Sequence, residues 1–201
     1  MINVLFIWEV PIPLKAHFES QLQHHNIQLI FPQSKEEKDW MPYAAEADVI
    51  VGWRPTKDFL LKAEKLKLLV NPGAGVQHLA ERIPENYSFK IVNGHGNAFY
   101  TAEHALAMLL ALTNHVVPHH NWMKDGKWRL GDDEAKSMSL RDKTIVLLGY
   151  GNVNKQLHEF LKPFGCRVIP LKRTAANGVA GIDQLHLVLE QSDIAVIALP
   201  A

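Results

Sequence analysis

The sequence predicts an α/β protein built on parallel sheets. Three observations carry that reading. Short runs rich in β-branched and aromatic residues alternate with amphipathic stretches from end to end. A glycine turn, GYGNVN, sits between one such run and a helix-like segment. A long, almost uninterrupted apolar stretch near residue 105 divides the alternation into two parts. Strands buried on both faces, separated by helical connections, are the mark of βαβ units.

In chain order, residues 2–8 (INVLFIW) read as a strand closed by Pro11 and Pro13. Further strands are expected at 27–31, ended by Pro32, and at 48–53, 66–71 and 89–93. Each has the length of a buried strand. Helices are expected between them over 14–24, 35–46, 56–66 and 75–82. The rhythm breaks at 101–124. Thr101 can cap a helix and Glu103 favours its first turn. AEHALAMLLALTNHV is apolar on nearly every side, which predicts a helix buried all round at an interdomain or intersubunit boundary. Pro118 is expected to kink or end it. The polar loop 124–136, with Gly126, Gly131 and an acidic run, reads as the linker. The pattern then restarts, with strands at 143–148, 167–171 and 193–199 and helices at 152–164 and 182–191.

Composition excludes several functions. Twenty-one Lys plus Arg balance 21 Asp plus Glu, so the net charge is zero and there is no electrostatic footprint for nucleic acid or an anionic membrane. The longest apolar run, 105–112, is eight residues, whereas a spanning helix needs ~20. The start carries no basic leader, and Cys166 is the single cysteine. These features fit a reducing, cytoplasmic setting.

TIVLLGYGNVNKQL is the sharpest motif. A strand enters Gly149-Tyr150-Gly151-Asn152-Val153-Asn154 and a helix leaves it. This is the dinucleotide-binding turn. The first glycine permits the tight bend, and the second lets the backbone approach a pyrophosphate. The helix amides then face that anion. Asn154 stands where a third glycine normally allows close packing, and its bulk is expected to widen the turn. The next strand ends in Leu171-Lys172-Arg173-Thr174. An acid there would read a 2′-hydroxyl, whereas two cations and a hydroxyl suit a 2′-phosphate, favouring NADP over NAD.

Eleven histidines invite a metal reading. The adjacent pairs His24-His25 and His119-His120 do not face one site. His115 and His119 have a usable spacing but no evident third ligand, so no metal is expected. His104 reads as a packing residue of the buried helix, and Cys166 as a small buried hydrophobe. Trp53, at a strand end beside Arg54, suits a pocket or the core equally.

With these segments in hand, the chain resembles the D-isomer-specific 2-hydroxyacid dehydrogenases. VGWRPT with LKLLVNPGAGVQHL is similar to that family's substrate-domain loops, and NAFYTAEHALAMLLAL to its long interdomain helix. LRDKTIVLLGYGN, FGCRVIPLKRT and LEQSDIAVIALP are similar to its cofactor half. VGWRPT, GAGV and LKRT together look most like the glyoxylate and hydroxypyruvate reductase branch. The resemblance implies a flavodoxin-like substrate domain over 1–98, lacking its C-terminal helix. It implies an interdomain helix and a partial, first-half Rossmann dinucleotide-binding domain over 99–201.

The activity it implies is hydride transfer between a nicotinamide and a small 2-oxo or 2-hydroxy acid. The substrate would lie against Trp53, Arg54, Ala74, Gly75 and Val76. The cofactor would lie against Thr101, Gly149, Tyr150, Gly151, Asn152, Val153, Lys172, Arg173, Thr174, Leu199 and Pro200. The family's catalytic arginine, glutamate and histidine fall beyond residue 201, so the expectation is a fragment inactive by itself. The alternative is a non-catalytic nucleotide sensor, like corepressors of the same fold. Without the strands that follow, strand 143–148 is expected to form an open sheet edge, which predicts a homodimer or higher oligomer.

Overall fold

The computed structural model describes residues 1–128 and 132–199. The chain divides into two compact units, Met1–His95 and Gly96–Ala201. The loop read as a linker, 124–136, lies inside the second unit, and its Gly131 is outside the described residues.

In the first unit five strands, β1 (Ile2–Phe6), β2 (Ile27–Ile30), β3 (Val49–Val51), β4 (Leu68–Asn71) and β5 (Lys90–Asn93), form one parallel sheet in the order β2-β1-β3-β4-β5. This is the flavodoxin-type order, with its switch point between β1 and β3. Helices α1 (Ile12–Leu22), α2 (Glu37–Trp40) and α3 (Lys57–Lys62) connect the strands. Pro13 sits in the first turn of α1, where no N–H is needed. Thr56 caps α3 by accepting the Phe59 amide at 3.1 Å. The core gathers Leu5, Ile50, Leu69 and Phe59, all fully buried, with the Trp40 ring set edge-on to Phe59.

Two expected helices shrink. Residues 35–46 form only one α-turn before a 3₁₀ stretch, Met41–Glu46, because Pro42 cannot donate within a continuing helix. Residues 75–82, confined between Gly75 and Pro84, hold only the 3₁₀ turn Gln77–Leu79.

In the second unit β6 (Thr144–Leu148), β7 (Arg167–Lys172), β8 (Ala180–Gly181) and β9 (Ile194–Ile197) form a parallel sheet ordered β8-β7-β6-β9. One face packs Ile145 and Leu147 under Leu157 and Leu161 of α6 (Asn152–Leu161) and Ala102 and Leu109 of α4 (Ala98–Thr113). The other packs Val146 and Leu171 under Val188 of α7 (Leu185–Glu190).

This order corrects the expected open edge at 143–148. β6 is interior, paired on both sides, and β9 holds the edge. The two-residue β8 takes the third place, so the chain then crosses to the far side of β6, and β9 is a fourth strand. Such a short strand carries no hydrophobic run to read.

The long helix also differs. α4 starts at Ala98, and Thr101 lies inside it, its hydroxyl donating to the Asn97 carbonyl at 2.9 Å. Only one stripe of α4 packs within its unit, leaving Leu112 74% exposed and His104 exposed as well. An apolar composition sets no single face, so packing partners decide which stripe is covered. The helix breaks at Asn114, His115 turns left-handed with φ 51°, and α5 (Val116–Lys124) restarts with Pro118 in its first turn. Proline is tolerated there and not in a helix interior, so the break precedes it.

Candidate functional site

The glycine turn stands at the carboxyl end of β6, beside the end of β9. This is the switch point of a doubly wound sheet, where such folds hold ligands. Gly149 has φ +85°, and a Cβ there would lie 2.5 Å from the Ala198 carbonyl oxygen. The amides of Gly149 and Tyr150 donate to the Leu171 carbonyl at 2.9 and 3.0 Å, which pins the bend to β7. Gly151 differs in kind: a Cβ there would meet nothing within 4 Å. That open space adjoins the first turn of α6. The amides of Asn152, Val153 and Asn154 donate to no described residue, and they lie at the positive end of the helix dipole.

Asn154 does not widen the turn. It is fully buried, and its Nδ2 donates to the carbonyls of Leu148 and Gly149, both at 3.1 Å. The side chain staples the strand end to the helix, a role open to asparagine because its amide carries two donors. Tyr150 is half-buried with its hydroxyl 2.7 Å from His158 Nδ1, and burial raises its phenol above the usual range.

Leu199 is exposed with its Cδ2 against the turn, 2.7 Å from where a Gly149 Cβ would stand. Lys172 is half-buried at the end of β7, while Arg173 and Thr174 follow exposed, and none pairs with a described carboxylate. Pro200 lies outside the described residues. Cys166 is half-buried against the core of this unit, with its thiol pushed up by burial, as a packing residue should be.

The first unit has a cluster of its own at the carboxyl ends of β1, β3, β4 and β5. Trp8 and Trp53 meet edge-on, with centroids 5.0 Å apart, beside the switch point of this sheet. Trp53 is 38% exposed, and its Nε1 lies 3.0 Å from where a Gly73 Cβ would stand, so the indole abuts the loop 73–76. His78 Nε2 contacts the Trp53 carbonyl. Arg54 is exposed and pairs with no described carboxylate. Ala74, Gly75 and Val76 are exposed, while the fully buried Asn71 donates from Nδ2 to the Gly73 and Gly75 carbonyls. Asn93 Nδ2 donates to the Ala74 carbonyl at 2.7 Å.

The structure therefore gathers Trp53, Ala74, Gly75 and Val76, and adds Trp8, Asn71, His78 and Asn93, which sequence reasoning missed. A signal existed for the asparagines, since each ends an apolar strand where a polar residue must find a partner. No signal marked Trp8 or His78. Among the described residues no three metal-ligating side chains come together, and no helix is long and apolar enough to cross a membrane.

The far ends of both sheets carry matching carboxylates. Asp48 is held below its ordinary value by the Lys67 ammonium, 2.8 Å away, and by the Asn3 amide. Asp193 is held low by the Thr144 amide, at 2.8 Å, and by Lys143. Both lie before strands, away from the loops just described, and act on stability.

Residues 106–201 match the family model described as the NAD binding domain of D-isomer specific 2-hydroxyacid dehydrogenase. A formate dehydrogenase of Neurospora crassa is 29% identical over 157 residues, covering 72% of this chain and 42% of its own. A hydroxypyruvate reductase of Thermotoga maritima is 27% identical over 172 residues, covering 82% of this chain and 55% of its own. The chain thus spans about half the length of these curated relatives. A solved D-isomer specific 2-hydroxyacid dehydrogenase family protein from Aeromonas salmonicida subsp. salmonicida superposes on all of this chain and 64% of its own, with a TM-score of 0.77 at 24% identity. The glycine turn at a sheet switch point and the doubly wound order around it agree with that match, and segment 106–201 is a NAD binding domain of the D-isomer specific 2-hydroxyacid dehydrogenase type.

Proposed function

We propose that this chain supplies the cofactor turn and the substrate-carboxylate loop of an NADP-preferring oxidoreductase acting on a small 2-oxo or 2-hydroxy acid of the glyoxylate or hydroxypyruvate type. The observation that carries the reading is the open cradle at Gly151, with three unpaired amides at a helix start. The nicotinamide, when bound, supplies or takes the hydride at the substrate's C2. The chain's own residues bind and orient. Gly151, Asn152 and Val153 take the pyrophosphate, and Tyr150 and Leu199 flank it. Lys172, Arg173 and Thr174 meet the adenosine end, where two cations and a hydroxyl suit a 2′-phosphate.

In the first unit the amides of Ala74, Gly75 and Val76 take the substrate carboxylate, with Trp53 and Arg54 beside them. Thr101 is kept as a cofactor contact on the strength of the resemblance alone. Domain limits at 1–98 and 99–201 suit this division of labour. A cytoplasmic location is supported by the lone thiol. Self-association as a homodimer or higher oligomer is supported by the apolar stripe that α4 leaves bare, with Met108 57% and Leu112 74% exposed.

Titration of the chain with NADPH and NADH, followed by nicotinamide fluorescence, tests the reading. Saturable binding of NADPH, tighter than NADH, is expected. Absence of binding for both would reject the cofactor assignment, and equal binding would reject the preference.

A further inference from the structure

We infer that Asn71 and Asn93 are positioning residues that fix the polarity of the loop 73–76, so that it presents amides, and no carbonyl, to its ligand. The inference rests on reading that loop as a carboxylate site and deepens it. β4 and β5 are parallel neighbours, and their last residues, Asn71 and Asn93, are register partners. Both side chains turn to the same loop. Asn71 Nδ2 spends its two hydrogens on the carbonyls of Gly73 and Gly75, the latter at 3.0 Å. Asn93 Nδ2 takes the Ala74 carbonyl at 2.7 Å. The Leu79 amide takes the Val76 carbonyl at 2.9 Å.

Four consecutive carbonyls are thus occupied, while the four amides of Gly73, Ala74, Gly75 and Val76 donate to no described residue. A loop peptide left to itself can rotate and exchange its carbonyl for its amide at the surface. Here every rotation costs a hydrogen bond. With the carbonyl dipoles engaged, the residual partial charge on the open side is positive, which suits a carboxylate and repels an ammonium.

The burial of Asn71 adds a second argument. It is fully buried, yet its Oδ1 has no partner. Leaving a buried acceptor unsatisfied is a cost, and the two bonds made by Nδ2 are what offsets it. Asn154 repeats the device in the other unit: its Nδ2 holds two carbonyls of the glycine turn and its Oδ1 is likewise buried without a partner. Both cradles read as anion sites in this chain rest on a buried asparagine that takes up the loop's carbonyls.

The test uses the full ¹⁵N-labelled chain, glycolate as the carboxylate probe and ethylene glycol as its neutral counterpart. Before ligand, the side-chain amide hydrogens of Asn71 and Asn93 should exchange slowly, and the backbone amides of 73–76 fast. Glycolate should shift those four amides saturably, and ethylene glycol should not. Asn93→Ala, at an exposed position, should weaken glycolate by about tenfold and leave exchange at Ile50 and Leu69 unchanged. Slow backbone and fast side-chain exchange would overturn the inference. So would glycolate affinity unchanged in Asn93→Ala while the wild type responds, an outcome that leaves the carboxylate reading intact. Side chains protected and amides open, with no glycolate response in the wild type, would uphold the positioning role and remove the carboxylate reading instead.

Discussion

Two glycines of one turn should fail for opposite reasons. Gly149→Ala places a methyl 2.5 Å from the Ala198 carbonyl oxygen and 2.7 Å from Leu199 Cδ2, at φ +85°. The left-handed backbone costs an alanine about 1 kcal/mol, and overpacking against backbone adds roughly 1–3 kcal/mol. The sum is a loss of about 2–4 kcal/mol from the second unit. Gly151→Ala meets nothing within 4 Å. As the residue preceding α6, an alanine there costs only about 0.5–1 kcal/mol. On the proposed cofactor reading its effect falls on the ligand, because the added methyl enters the open space at the turn. Hydrogen exchange at the buried Val146 and Leu147 amides reads the first quantity, and NADPH titration reads the second. Gly149→Ala should speed exchange by at least tenfold, and Gly151→Ala should weaken NADPH by at least about tenfold while speeding exchange by no more than about fivefold. A Gly149→Ala chain as protected as the wild type would refute the close-approach argument. A Gly151→Ala chain that binds NADPH normally would refute the cradle.

On the proposed 2′-phosphate role, Arg173→Ala removes one charge-assisted contact, which is worth about 1.5–3 kcal/mol. It should weaken NADPH by roughly tenfold or more and spare NADH; parallel losses for both cofactors would reject the 2′-phosphate role. Asn154→Ala leaves the Leu148 and Gly149 carbonyls without their side-chain donor, and should cost the second unit about 1–3 kcal/mol, read by urea unfolding followed by circular dichroism. For Asp48 the folded-state value is depressed, chiefly by Lys67. Its contribution is therefore present above the ordinary value of 3.8 and is lost as pH falls through the folded value. Asp48→Asn should accordingly lower the urea midpoint at pH 7, with the gap to wild type narrowing as pH falls below the ordinary value of 3.8; a gap that stays the same as pH falls would show that the charge contributes nothing.

The sequence by itself determined most of the strands and the α/β nature of both units. INVLF and TIVLL are short β-branched runs of strand length, and GYGNVN between strand and helix permits few other uses. Those signals are local, so they survive without knowledge of the fold. The order of strands was not local. Whether β6 lay inside or at an edge depended on a two-residue β8, whose pairing with β7 moves β9 to the far side of β6. The covered stripe of α4 likewise depended on where α6 came to rest, because an almost wholly apolar helix names no face of its own. The role of Asn154 was misread from its size, since steric bulk is visible in a sequence and two hydrogen bonds to carbonyls five and six residues back are not. The loop 73–76 was legible as glycine-rich backbone, but its polarity came from Asn71 and Asn93. Those two residues are 22 positions apart and become neighbours only when β4 and β5 pair in register. Propensity and periodicity act over one turn or one strand, whereas hydrogen-bond accounting in a packed interior closes only across the whole unit.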